Sequence, residues 1–329
     1  MGVMIDGQWH RSGSGTAASR GRFVRSESQF RNWITPDGAP GPTGASGFKA
    51  EPGRYHLYVS LACPWAHRAL IFRSLKRLGG LISLSVVHWH MGADGWNFGD
   101  GPGVVPDPIR NARFLHEIYK EAEDTYSGKV TVPVLWDKTT GTIVSNESSE
   151  IMRMLNSAFD EVGAEAGDYY PADLRPMINE FNAEIYDKVN NGVYKCGFAT
   201  TQEAYEEAVF PLFATLDRLD ELLGRRRYLC GERVTEADWR LFTTLLRFDP
   251  VYVGHFKCNI RRLVDYPNLW GYARELFQWT GVRETVNFDH IKRHYYTSHE
   301  TINPTRIVPV GPQLDFERPH ERSRSYPEE

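Results

Sequence analysis

The sequence predicts an α/β domain followed by an all-helical domain, and three observations predict it. Two apolar, β-rich runs at 55–61 (YHLYVSL) and 81–88 (LISLSVVH) flank an amphipathic stretch at 66–79, which reads as a β-α-β unit. A pair of short strand-like runs, TVPVLWD (131–137) and TIVS (142–145), then meets at a Thr-Gly turn and leads into a helical segment at 147–159. Beyond residue 173 apolar residues recur only at helical spacing. A chain of 329 residues with 41% hydrophobic and 24% charged residues is long enough for two buried cores and has the composition of a globular protein.

Taken in order, residues 1–50 are rich in Gly, Ser, Arg and Pro and show neither helical nor strand periodicity, so they read as an extension wrapped over a domain. Residues 51–160 form the first domain. Its parallel strand pair needs a crossover helix, which AHRALIFRSLKRLG supplies. The Gly- and Asp-rich stretch from 89 to about 113 is too long for a simple connector and is expected to be functional. FLHEIYKEAED follows as a helix, and in 147–159 the residues Ile151, Leu155 and Phe159 share one helical face. Residues 161–173 form a linker, within an acidic, Gly-containing run that begins at 160. In the helical domain, 174–300, Met177, Phe181 and Ile185 make one stripe and Leu212, Leu216, Leu219 and Leu223 another. Thr235 and Asp238 predict a capping box ahead of Phe242, Leu245 and Leu246. Residues 301–329 are a C-terminal extension.

Bulk properties exclude several functions. A net charge of -4 and the lack of a basic run give no footprint for nucleic acid. No apolar stretch reaches the ~18 residues that span a bilayer, and MGVMIDGQWHRSGSG lacks the apolar core of a signal peptide, so a cytoplasmic protein without membrane partners is expected. Four widely separated cysteines indicate neither a disulfide framework nor a metal site.

Cys63 stands apart from the other three. It directly follows a strand and directly precedes Pro64, a residue suited to the first helical position because the N–H it lacks would have no intrahelical partner there. Partial positive charge at a helix start, with His67 and Arg68 close in sequence, is expected to lower the thiol pKa from ~8.5 into the range ~3.5–7.5. An arbitrary cysteine belongs in the core; here strand, turn, proline and helix all agree on a reactive thiol. Cys196, Cys230 and Cys258 have no such setting and read as structural. The residue three after Cys63 is Ala66, so a mixed disulfide at Cys63 has no resolving partner in a CxxC pair. It must be cleaved by an external thiol, which in the cytosol means chiefly glutathione.

Two further stretches suit a glutathione site. Pro133 removes a ladder donor at the start of a strand, which either a cis Val132-Pro133 bond or a trans proline at a strand edge explains. A cis turn would direct the N–H and C=O of Val132 outward to pair with a peptide backbone. At Glu147 and Ser148 a helix begins with free amides, a hydroxyl and a carboxylate, which reads alone as a cap and beside Val-Pro as a holder for the γ-glutamyl carboxylate and ammonium.

Strand, CPWAHR (63–68), helix, strand, GADGWNF (92–98), VTVPVLWDK (130–138), NESSEIMRM (146–154), VTEADWRLFTTLLRFDPVYVGHFKCN (234–259), DYPNLW (265–270) and HYYTSHETINPTRIVPVGP (294–312) span most of the chain. In this order they closely resemble the glutathionyl-hydroquinone reductases, or Xi-class glutathione transferases. The resemblance implies a glutathione transferase fold, an α/β thioredoxin-like N-terminal domain plus an all-α C-terminal domain, and a homodimer joined through the helical domain. It implies Cys63 as nucleophile, Trp96, Val132, Glu147 and Ser148 as glutathione contacts, and Lys129 where the family commonly has Arg, which keeps the charge but not the bidentate fork. Its substrate-facing tyrosines map to Tyr194 and Tyr295, with Tyr296 an alternative register. The substrates implied are aromatic glutathionyl-hydroquinones, with glutathione as co-substrate and no cofactor or metal permanently bound. Two rivals stay open: a glutaredoxin-like or dehydroascorbate reductase using Cys63, and a glutathione-binding scaffold without catalysis. Tyr194 and the C-terminal motif speak against the first, the retained CPW against the second.

Overall fold

The protein is described here from a computed structural model covering residues 2–11 and 20–322. Parts of both extensions, residues 12–19 and 323–329, thus lie outside the described residues. The chain divides into two compact units, the first holding residues 2–11, 26–167 and 289–294 and the second residues 20–25, 168–288 and 295–322.

The first unit is built on a four-stranded sheet. β3 (Tyr55–Val59) is buried along its whole length, as expected of a strand paired on both sides and covered on both faces. It runs parallel to β4 (Ile82–Val86) and antiparallel to β5 (Val134–Asp137), which in turn pairs antiparallel with β6 (Thr142–Ser145). The sheet order is β4-β3-β5-β6. The crossover helix α1 (Pro64–Leu75) starts two residues earlier than its apolar period suggests, because the proline itself opens it. It ends before a left-handed Arg77, φ 50°. α1 packs along α3 (Ser148–Ser157), and the expected helix near 114–124 is α2 (Leu115–Ala122). His56, inside β3, is enclosed by Ser83 Oγ at 2.7 Å and Ser85 Oγ at 2.9 Å, and burial lowers its pKa to about 4. It is a neutral core histidine.

At the base of the sheet Arg54 grips Asp137 through Nε at 2.9 Å and Nη2 at 2.6 Å, and Thr139 N–H and Thr140 Oγ1 add bonds of 3.0 and 2.7 Å. Burial works against the Asp137 charge, but these donors win and hold its carboxyl below the usual range.

The N-terminal stretch is more ordered than its composition indicates. β1 (Val3–Ile5) and β2 (Gln8–His10) form a hairpin whose turn residues, Asp6 and Gly7, have φ of 47° and 70°. Asp-Gly with both φ positive is the turn that two-residue hairpins favour; three-residue strands are too short to show a period. Farther on, Asn32 N–H bonds Val144 O at 2.9 Å and Asn146 N–H bonds Phe30 O at 3.2 Å, so residues 30–32 cover the open edge of β6.

The second unit is helical: α4 (Arg175–Glu184), a π-helical segment at Ile185–Asn190, α5 (Gly192–Gly197), α6 (Gln202–Leu223), α7 (Glu236–Arg247), a second π-helical segment at Phe248–Tyr252, and α8 (Pro267–Phe277). α9 spans Phe288–Ser298, its residues from Tyr295 onward counting with this unit. The leucine stripe of α6 is buried throughout. The expected stripe on α4 is displaced: Met177 is exposed and Phe181 half-buried, while Ile178, Asn182, Ile185 and Val189 face inward. Asn182 causes the misreading. Its amide donates to Glu236 Oε1 at 2.7 Å, so a polar residue holds a core position. The capping aspartate behaves as expected, Asp238 accepting from Thr235 N–H at 2.7 Å, and it gathers Leu229 N–H and Tyr272 OH as well. Among the described residues no helix is long and apolar enough to cross a membrane.

Candidate active site around Cys63

Cys63 is the N-cap of α1, with extended φ and ψ of -76° and 122° and Pro64 following. Its N–H bonds Ser60 O at 3.2 Å and its carbonyl accepts His67 N–H at 3.0 Å, so the sulfur is carried on a turn closed from both sides. The other cysteines are buried, and burial pushes Cys230 up to about 11 and Cys258 well above the ordinary thiol value; Cys63 alone is half-exposed. Its thiol lies 3.7 Å from the carbonyl oxygen of Val132. His67 and Arg68 are buried, Arg68 stacking at 4.5 Å over the Trp65 ring.

The Val132-Pro133 peptide bond is cis, and the Val132 N–H has no acceptor among the described residues. Tyr119, which the sequence did not single out, fixes this turn. Its buried hydroxyl donates to Thr131 O at 2.8 Å and accepts from Thr131 N–H at 3.2 Å and from the Asn146 amide at 3.1 Å. One phenol thus ties the Val-Pro turn to the start of α3.

At that start Glu147 is the N-cap: Oε1 accepts Ser149 N–H at 3.0 Å and Ser149 Oγ at 2.8 Å, while Oε2 lies 3.1 Å from Ser28 Oγ. Burial alone would raise its pKa, but the Ser149 and Ser28 bonds and the nearby Arg68 charge outweigh that, and the carboxyl is held below the ordinary glutamate value. A half-buried carboxylate kept ionised beside a helix N-terminus can receive an ammonium while the amides receive a carboxylate. Ser148, buried, is the first residue of the helix, where an N–H has no intrahelical acceptor. Ser28 belongs to the stretch read only as an extension, as does Arg31, which forms a bidentate pair with Glu150.

Trp96 is buried in the long loop, its carbonyl accepting Leu115 N–H at 2.9 Å. Its ring stacks on His294 at 4.8 Å and 22°, and His294 Nδ1 bonds the Trp89 carbonyl at 2.8 Å. Four residues earlier, His290 Nε2 bonds Pro102 O at 2.6 Å. Two histidines a helical turn apart therefore hold the loop that carries Trp96. Lys129 is exposed, its carbonyl accepting from Tyr126 OH at 2.8 Å.

In the second unit, the two tyrosines selected from the sequence meet: Tyr194 OH and Tyr295 OH lie 2.6 Å apart. Tyr252 OH lies 3.1 Å from Tyr295, completing a row of three phenols that sequence reading had not assembled. Burial, then the neighbouring phenols, push the Tyr295 pKa well up, so it is a neutral donor at physiological pH. The Tyr296 hydroxyl turns instead to Pro250 O at 3.4 Å.

The glutathione S-transferase N-terminal domain family matches residues 62–158 and the C-terminal domain family residues 202–275. Glutathionyl-hydroquinone reductase YqjG of Escherichia coli K12 is 59% identical over 323 residues, 98% of each chain. The solved glutathione-bound structure of YqjG superposes with a TM-score of 0.92, covering 99% of this chain and 100% of that one. This chain belongs to the glutathionyl-hydroquinone reductase family of glutathione transferases. Within that family, PcpF of Sphingobium chlorophenolicum is 56% identical over 95% of this chain and 96% of its own, and the Xi-class transferase of Natrialba magadii is 46% identical with a TM-score of 0.91, covering 98% of this chain and 97% of that one. This glutathione transferase thus shares its two-domain architecture with those relatives.

Proposed function

We propose that the protein is a glutathionyl-hydroquinone reductase, a cytoplasmic homodimer that removes glutathione from aromatic glutathionyl-hydroquinones. The observation that carries this reading is a cysteine at a helix start, 3.7 Å from the Val132 carbonyl, in a chain 59% identical over its whole length to a glutathionyl-hydroquinone reductase. Glutathione pairs its backbone with Val132, places its γ-glutamyl end at Glu147 and Ser148 and its other charged end toward Trp96 and Lys129. Its sulfur then meets that of Cys63.

The Cys63 thiolate attacks the glutathione sulfur of the substrate. A new S–S bond forms, the sulfur–aryl bond breaks, and the electron pair leaves with the ring, which takes up a proton to become the hydroquinone. Tyr194 and Tyr295 serve the hydroquinone hydroxyls and the supply of that proton. A second glutathione, as thiolate, attacks the Cys63 mixed disulfide, giving oxidised glutathione and the free enzyme. The ring is reduced and two glutathione sulfurs are oxidised, so the balance closes without metal, flavin or nicotinamide.

Mass spectrometry of the protein given glutathionyl-hydroquinone without free glutathione, beside Cys63→Ser, tests this. A single glutathione adduct at Cys63, hydroquinone released at once, and oxidised glutathione appearing only on a glutathione chase are expected. Adduct from a small disulfide but none from the hydroquinone conjugate would move the assignment to a glutaredoxin-like reductase. No adduct from either would leave binding alone.

A further inference from the structure

We propose that Arg25, on the N-terminal segment, is a positioning residue for Tyr194, holding its ring from one face and favouring the phenolate as the hydroxyl gives up a proton. The inference rests on the assignment of Tyr194 to the hydroquinone and extends it to a residue of the segment that composition marks only as a covering.

The geometry is specific. The Arg25 guanidinium carbon lies 5.0 Å from the Tyr194 ring centroid, within the range where a cation is attracted by a ring face. Its Nε is fixed by a 2.6 Å bond to Asn191 Oδ1. Asn191 precedes Tyr194 by three residues, so both side chains share one face of the turn that opens α5. The same guanidinium lies 5.3 Å from the Phe23 centroid, and Phe23 itself stacks on Tyr194 at 6.0 Å and 29°. Residues 23 and 25 thus grip the phenol by an aromatic ring and a cation together. The Tyr194 hydroxyl, at the other end of the ring axis, reaches Tyr295.

Chemistry gives the contact a role beyond packing. A phenol that donates a proton develops negative charge, part of it spread over the ring, and a cation above the face stabilises that charge more than it stabilises the neutral phenol. Tyr295 can donate a hydrogen bond to the same oxygen as the proton leaves. Arginine suits the position because one edge can bond Asn191 while the plane covers a ring; lysine offers a point charge without that fork.

The other groups around the phenol row are Tyr252, the buried Arg247 whose charge acts on Tyr295, and the His255–His299 pair, with His255 lowered to about 4 by burial.

The experiment measures hydroquinone release by full-length wild type, Arg25→Met and Arg25→Lys across pH, with glutathione affinity by calorimetry. Arg25→Met is expected to lower kcat about tenfold, as for loss of a partly desolvated cation–π contact, and to move the alkaline limb of kcat to higher pH because Tyr194 becomes the weaker acid. Glutathione affinity stays at the wild-type value, and Arg25→Lys recovers part of kcat and of the limb position. In a Tyr194→Phe background the Arg25 replacement has no further effect, and this comparison decides the matter if Arg25→Met alone folds poorly. An active wild type with Arg25→Met unchanged in kcat and limb overturns this inference alone. Loss of kcat with an unshifted limb reduces Arg25 to a structural contact and overturns it as well. A wild type that releases no hydroquinone overturns the underlying functional assignment.

Discussion

Replacing Glu147 by Gln separates its capping of α3 from the role proposed for it, receiving the glutathione ammonium. Oε1 is committed to capping α3, accepting Ser149 N–H and Oγ, whereas Oε2 meets, among the described residues, only the adjustable Ser28 hydroxyl and is the oxygen proposed to receive a ligand ammonium. A glutamine can keep its carbonyl oxygen on Ser149 and so keep the cap. Its NH2 then stands where the ammonium should be received, and Ser28 can turn to accept from it. Loss of one charge-assisted hydrogen bond is worth ~1.5–3 kcal/mol, so glutathione affinity should weaken by roughly 10- to 150-fold, while Tm stays near that of wild type. Glu147→Ala should weaken binding similarly but also lose the cap, at about 1 kcal/mol of stability. The pH dependence follows from the lowered Glu147 pKa. A depressed carboxyl pKa contributes stability that is fully present above the unfolded value of about 4.3 and is lost as pH falls through the folded value. Wild-type affinity should therefore hold constant from neutral pH down to about 5 and weaken only below that, and the glutamine variant should lack this acidic limb. Calorimetric titration with glutathione at several pH values, with thermal melts alongside, measures both. A glutamine variant that binds within about twofold of wild type at neutral pH refutes Glu147 as the ammonium partner.

Two other changes probe the scaffold that carries the site. Arg54→Met should strand the fully buried Asp137 carboxylate; with the Thr139 and Thr140 bonds remaining, the cost should sit at the low end of ~3–5 kcal/mol. In thermal melts this deficit should shrink as pH falls from 7 toward 4, since the carboxyl, now governed by burial, protonates more easily in the fold than in the open chain; a deficit independent of pH would show that Asp137 is not the group left uncompensated. His294→Ala should raise the KM for glutathione by roughly 3- to 10-fold with little change in kcat, because it removes the ring beneath Trp96 and the bond to Trp89. His294→Phe, which keeps a ring, should recover part of the loss, and an unchanged KM in the alanine variant would mean that Trp96 needs no such support.

The parts of the site legible in the sequence are those whose chemistry is local. Cys63-Pro64 after a strand needs only neighbouring residues to define a helix start, and Glu147-Ser148 before an apolar period likewise defines a cap. Reading fails where a polar group takes a core position or where a partner is remote. Asn182 displaces the apparent stripe of α4 because periodicity counts apolar residues and cannot see that its buried NH2 donates to Glu236. Tyr119 looks like any aromatic on the buried face of α2, and only the fold brings Thr131 and Asn146 to its hydroxyl.

The N-terminal segment shows the same limit in its clearest form. Arg22 pairs with Glu207, Arg25 with Asn191, Ser28 with Glu147, and Arg31 with Glu150. These anchors fall at every third residue. Helices repeat at 3.6 and strands at 2, so a search for either period passes over the segment and its composition suggests irregular chain. Its apolar contacts, Phe23 on Tyr194 and Phe30 on Tyr126, are two isolated rings seven residues apart, so they set no hydrophobic period and the polar anchors between them leave none either. Two of those anchors touch groups of the proposed chemistry, Ser28 directly on the Glu147 carboxylate and Arg25 through Asn191 over the Tyr194 ring. A covering segment that only shielded apolar surface would tolerate polar exchange at both positions. One that sets the charge on Glu147 and the acidity of Tyr194 would not.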